Sequence, residues 1–310
     1  EETLKSLMRV IWAHENLISF KVNFLDQYCL DVGPYILFAL LKQELGNKKF
    51  NGGRMHDRVT KVLSAMNIDR FAKMLLPSTD TDDVWPMKMN FEIQPDYGEK
   101  LPGLTEHRHE KVALKITNEF DRWLWQCDLM FSEEGKGRFL TLVSEILDNA
   151  RHATPKKQSH RNWAVAGFMA KRNRNAPGKE EYWCHLAFVT VGRSIAETLQ
   201  QSEGTETRNY LDNYYNTQKE IQANIDHDLL ATLCSLQDTV TCDATEDEVG
   251  GSGMATIISY MSQLSGDYSQ GKAAHAALLS GKSYSLLLPP YNEVIDAHWR
   301  QQWLKEKNQP

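Results

Sequence analysis

The sequence predicts an α/β fold, and three observations predict it. Two strand-like segments, about 161–171 and 181–190, flank a run of turn formers, Arg172-Asn173-Arg174-Asn175-Ala176-Pro177-Gly178-Lys179. Segments with helical periodicity lie on both sides of that hairpin, at about 106–132, 137–153 and 254–264. The length of 310 residues allows two domains at roughly 150 residues each. Apolar residues make up 41% and charged residues 25%, which excludes a disordered tail, a collagen-like fibre and a small disulfide scaffold. The net charge of −6 gives no overall basic excess to neutralise phosphates, so nucleic acid is not indicated as a partner.

The elements follow in order. Residues 1–76 form a small α/β module. Ile18, Phe20, Val22 and Phe24 alternate with polar neighbours, as a half-buried strand should. Asp31-Val32-Gly33-Pro34 makes a turn and a helix start, with Pro at the first helical position. A helix over 35–45 ends at Gly46-Asn47, and a second runs over 59–71. Residues 77–104 form a linker, polar at 77–83 and broken by Pro86, Pro95 and Pro102, with one alternating strand at 87–93. Residues 105–290 make a second domain. After its two helices and its strand pair come a polar helical stretch over 194–236, a glycine-rich loop at 249–253, a helix at 254–264 and a last strand at 283–288. The tail, 291–310, carries Val294, Ile295, Trp299 and Trp303 near one helical stripe.

The longest apolar run, 35–41, is far short of the roughly 20 residues that cross a bilayer, so no membrane partner is expected. The start, Glu1-Glu2, has no basic apolar leader. The five cysteines are odd in number and show no C-x-x-C spacing. A reducing, cytoplasmic setting is expected.

The segment richest in chemistry is Phe139 to Ala153. At about 100° per residue, Leu140, Val143, Leu147 and Ala150 form one stripe, and Glu145, Asn149 and His152 fall on the other side. A carboxylate can polarise water, an amide oxygen is a neutral hard ligand for Mg²⁺, and an imidazole can donate to phosphate. The plain alternative is an amphipathic helix with a solvated polar face. Gly250, Gly251, Ser252 and Gly253 form a glycine-rich bend that opens a helix, whose free N–H groups and dipole suit an anion. Many such bends are only turns, and no lysine follows as in a Walker loop. His185 to Ile195 is a strand entering a turn at Gly192, and alone it reads as a core strand with its loop.

Taken in order, these segments resemble the GHKL ATPase superfamily, over roughly 105–290. Glu145-x-x-x-Asn149-Ala150 is similar to its N box, Val189 to Ile195 to its first glycine box, and Gly250, Gly251 and Gly253 to its second. The resemblance implies an α/β sandwich of the GHKL (Bergerat) type, with helices on one face of a mixed sheet. It implies ATP and Mg²⁺ as cofactors, with Asn149 as metal ligand and Glu145 as water-activating carboxylate. His152, Thr190, Gly192 and the Gly250–Gly253 bend would contact nucleotide. The sequence departs from the pattern where Thr190 replaces the adenine-reading Asp and Ser194 the second Gly; a Thr hydroxyl loses a charge-assisted hydrogen bond. The stretch 196–249 corresponds to the ATP lid. Asp31 to Pro34 resembles the strand-to-helix turn of STAS-type modules, without the Ser or Thr of a phosphoswitch. His107 and His109 lie too close to Asn149 for a histidine-kinase hairpin and lack L-R-x-P.

The expected function is an ATP·Mg-binding regulatory protein, a slow ATPase in which lid closure controls a separate effector protein, in a setting such as stress response or phage defence. Homodimerisation is left open. Two alternatives stand beside it: a degenerate GHKL fold acting as an interaction module, and a protein kinase acting on a STAS partner.

Overall fold

The computed structural model describes residues 2–46, 48–76, 83–93, 108–153, 161–172, 181–201, 206–221, 224, 226–236, 253–264 and 275–287. They divide into two compact units that interleave along the chain. The first comprises 1–100, 118–131 and 159–190, and the second 101–117, 132–158 and 191–310. These limits do not coincide with boundaries at 76 and 105.

The first unit is built on α1 (Glu2–Asn16), α2 (Gly33–Leu45), α3 (Asp57–Ala65), α4 (Ile68–Phe71) and three strands, β1 (Val84–Ile93), β2 (Arg161–Arg172) and β3 (Glu181–Thr190). The strands form one antiparallel sheet in the order β1-β2-β3. Pro86 lies in the edge strand β1, the position where a missing N–H is tolerated. Central β2 is buried from Trp163 to Met169. Its Ala164, Ala166 and Phe168, with Val84 and Val189, share a core with Val32, Ile36 and Ala39 of the α2 region and Val59, Leu63 and Met66 of the α3 region. The expected N-terminal module therefore supplies the cover for the sheet. A bulge in β1 between Met87 and Asn90 frees the Met89 N–H, which donates to the Met66 carbonyl at 2.9 Å.

Several elements differ from expectation for local reasons. The 17–24 strand is reduced to one parallel bridge, Phe20 with Phe50. Phe20 N–H donates to Lys49 O and Asn51 N–H to Phe20 O, but Val22 N–H then reaches Gly52 O, one residue beyond the ladder position. Gly52 has φ +73°, and this extra residue shifts the register, so that Phe24 N–H donates to the Arg54 carbonyl at 2.8 Å without a regular ladder forming. The 59–71 helix breaks into α3 and α4 at Asn67, which is left-handed at φ 60°. Helix α1, over Glu2–Asn16, precedes the elements expected in the N-terminal module. The expected hairpin tip lies outside the described residues, apart from Arg172, which closes β2, and so do most of the 249–253 loop and the tail.

Helix α5 (Arg108–Trp125) gives its first turns to the second unit and the rest to the first. The second unit otherwise contains α6 (Glu133–Ala153), α7 (Ile195–Gln200), α8 (Glu206–Ile221), α9 (His227–Ser235), α10 (Gly253–Leu264), β4 (Ala276–Ser280) and β5 (Ser283–Leu287). The polar stretch 194–236 is thus three helices. Their apolar faces meet at Ala196, Leu199, Leu211, Leu230, Ala231 and Cys234. The expected last strand, β5, pairs with β4 as a separate antiparallel hairpin. Among the described residues the fold is mixed α/β, with two small antiparallel sheets rather than one mixed sheet.

Candidate functional site

Helix α6 carries the carboxylate–amide pair. Phe139, Leu142, Val143, Leu147 and Ala150 are buried, and Leu140 is half-buried. The dry stripe is the expected one, widened by Phe139 and Leu142. It leaves Glu145 half-buried and Asn149, one turn on, exposed. Burial pushes the Glu145 carboxyl above its ordinary range, and the neighbouring Asp148 charge adds to the effect. A carboxyl displaced upward is better matched to taking a proton near neutral pH than a fully solvated one. His152 lies in the last turn of α6, and its side chain is outside the described residues.

Helix α10 opens at Gly253 and packs against α6, with the Phe139 and Tyr260 rings 5.8 Å apart. Gly250, Gly251 and Ser252 lie outside the described residues. The other face of α10 joins the β4–β5 hairpin through Ile258, Leu287 and Leu236.

The turn after β3 is tied to the same helix. Arg193 N–H donates to the carbonyl of Ala153, the last residue of α6, at 2.8 Å. Gly192 is an exposed bend just before that contact. Ser194 then caps α7: its hydroxyl accepts the Glu197 N–H, and the Glu197 carboxylate accepts the Ser194 N–H at 2.7 Å. These bonds hold the Glu197 carboxyl below its ordinary range. Ile195 N–H donates to Ser280 Oγ at 2.8 Å, and Gly281, at φ +57°, turns the hairpin against Ser194. Where the resemblance has a second glycine, Ser194 is therefore a helix cap. The S-x-x-E spacing of Ser194 and Glu197 was the signal that could have shown this.

The second unit thus holds Glu145, Asn149, Gly192 and Gly253, whereas Thr190, exposed at the end of β3, is the last residue of the first unit. No family model, curated protein or solved structure matches the chain.

The donor chemistry of α6 fits Mg²⁺ held mainly by phosphates and water, which takes one or two protein oxygens. Among the described residues no three His, Cys, Asp or Glu side chains converge as a metal cage. A separate groove of about 410 Å³ is lined by Asn118, Asp121, Arg122, Trp125 and Met130, none of them predicted site residues. Among the described residues no helix is long and apolar enough to cross a membrane.

Proposed function

We propose that the chain is an ATP·Mg-binding regulatory protein of GHKL type. The observation that carries this reading is the assembly around α6: the helix bearing Glu145 and Asn149 packs on the helix that follows the glycine bend, and the Gly192–Arg193 turn is bonded to its C-terminal end. Helix α10 and the Gly192–Arg193 turn, both far from α6 in sequence, thus lie against the helix that carries Glu145 and Asn149.

In this reading the exposed Asn149 amide oxygen is the protein's ligand to Mg²⁺, which offsets phosphate charge when bound. Glu145 accepts the proton of an attacking water, which its raised affinity for protons suits. The N–H groups at the start of α10 orient phosphate oxygens, and closure of 196–249 changes the surface offered to an effector.

Isothermal titration of the full chain with ATP, with and without Mg²⁺, tests the proposal. Binding that needs Mg²⁺ and is lost in Asn149→Ala is expected, with Glu145→Ala binding but no longer turning over. Absence of binding by the intact protein sinks the proposal. It would favour the interaction-module reading, which the exposed Thr190 and the cap at Ser194 already support, since neither supplies a charged adenine acceptor. Transfer of label from ATP to a STAS protein would instead support a kinase.

A further inference from the structure

Outside that site, the first compact unit sets the sulfurs of Cys127 and Met169 in contact and places Cys184 opposite Met169 on the neighbouring strand. Cys127 follows the end of α5, and its Sγ lies 3.7 Å from Met169 Sδ on β2. Met169 is directly opposite Cys184 in the β2–β3 register, so the two side chains leave the same face of the sheet. His185, the next residue, is on the other face, stacked on Phe168 at 4.8 Å. We propose that Cys127, Met169 and Cys184 form a binding site for one soft monovalent metal ion, of which Cu(I) is the physiological example.

Geometry and donor type support this together. Three sulfurs each about 2.3 Å from a shared ion in a trigonal plane lie about 4 Å apart, close to the observed Cys127–Met169 separation. Two thiolates and a thioether select Cu(I) over Mg²⁺ or Ca²⁺, and among the described residues no third His, Cys, Asp or Glu joins the two cysteines to complete a zinc set. Access is graded: Met169 is buried, Cys127 is half-buried, and Cys184 reaches the surface. An ion can therefore enter at Cys184 and settle inward.

On binding, both S–H protons pass to water, two sulfur–metal bonds form, the thioether donates a lone pair, and no atom changes oxidation state. The occupied site carries one negative charge.

The test uses the reduced, metal-free full chain, titrated without oxygen with Cu(I) presented as its bicinchoninate complex. One equivalent is expected to leave the chelator, with X-ray absorption showing about three sulfur neighbours near 2.3 Å. Cys127→Ser and Cys184→Ser should each weaken binding by more than the roughly 100-fold that loss of an outer-shell partner can cost. Met169→Leu should leave a weaker two-sulfur site, and Cys29→Ser and Cys234→Ser should bind as the parent does. Variant folding is checked by circular dichroism. Independently, Ag⁺ should shield Cys127 and Cys184 from alkylation in the unaltered protein, read by peptide mass spectrometry. Failure of the intact chain to compete, unaltered binding in both Cys127→Ser and Cys184→Ser, or alkylation of both thiols at the same rate with Ag⁺ present would overturn the proposal.

Discussion

At the scale of single residues, Gly167 shows how closely the first unit is packed. A Cβ at this position would lie 2.6 Å from the His185 carbonyl oxygen and 3.2 Å from Cη2 of Trp123. Trp123 is itself buried, so it has little room to yield. Gly167→Ala should cost about 1–3 kcal/mol, as overpacking does, read as a lower urea midpoint with unchanged slope. Glu145 gives a second test at this scale. Its carboxyl titrates above the ordinary value of 4.5, so the folded state holds the proton where the unfolded chain has lost it. Stability therefore falls as pH climbs from 4.5 through the raised value, and is level beyond it. Glu145→Gln lacks this penalty. Its advantage over the parent in thermal melts should be absent in acid, open across that window, and hold to neutral pH. A difference independent of pH would mean that burial does not hold the carboxyl as described.

At the scale of elements, the break between α3 and α4 rests on one backbone conformation. Asn tolerates the left-handed region better than other residues with a Cβ, and Asn67 closes the turn by donating its N–H to Ser64 O at 3.1 Å. Asn67→Gly should leave stability nearly unchanged, whereas Asn67→Val should lose about 1–2 kcal/mol in denaturant unfolding. Equal losses would place the cost in the Asn side chain instead. This break also shows what the sequence could and could not convey. Val62, Leu63 and Met66 keep helical spacing up to the break, so periodicity marks a helix but not where it stops. The 17–24 alternation was legible in part: Phe20, Val22 and Phe24 are half-buried and the residues between them exposed, but Ile18, expected on the same side, is exposed. Its failure to become a strand depends on a register slip at Gly52, which no pattern within 17–24 records. The α6 stripe was legible because burial follows angle around a helix. The bond from Arg193 to Ala153 and the meeting of Cys127 with Met169 were not, because each joins residues some 40 apart that only tertiary structure brings together.

At the scale of the molecule, the sheet's dependence on the N-terminal helices decides how the chain can be divided. Ala164, Ala166, Phe168 and Val189 face residues of the α2 and α3 regions, and β1 completes the pairing of β2 from a segment that reads as linker. Taken alone, residues 105–310 would keep β2 and β3 but lose both the third strand and the cover of one sheet face. A bare two-stranded pair is marginal in water, and the uncovered core face would add a contiguous apolar surface. The second unit has its own contacts, α6 with α10 and α7 with α9, and its own apolar cluster at Ala196, Leu199, Leu211 and Leu230. Expressed as 105–310, the chain should therefore bind a hydrophobic dye and aggregate, and protease digestion should remove 161–190 while sparing α6 to α10. Adding 1–104 as a separate chain should restore protection of 161–190. If the 105–310 fragment instead unfolds in a single cooperative transition with β2 and β3 protected, the sheet owes nothing to the N-terminal helices, and the interleaved organisation is wrong.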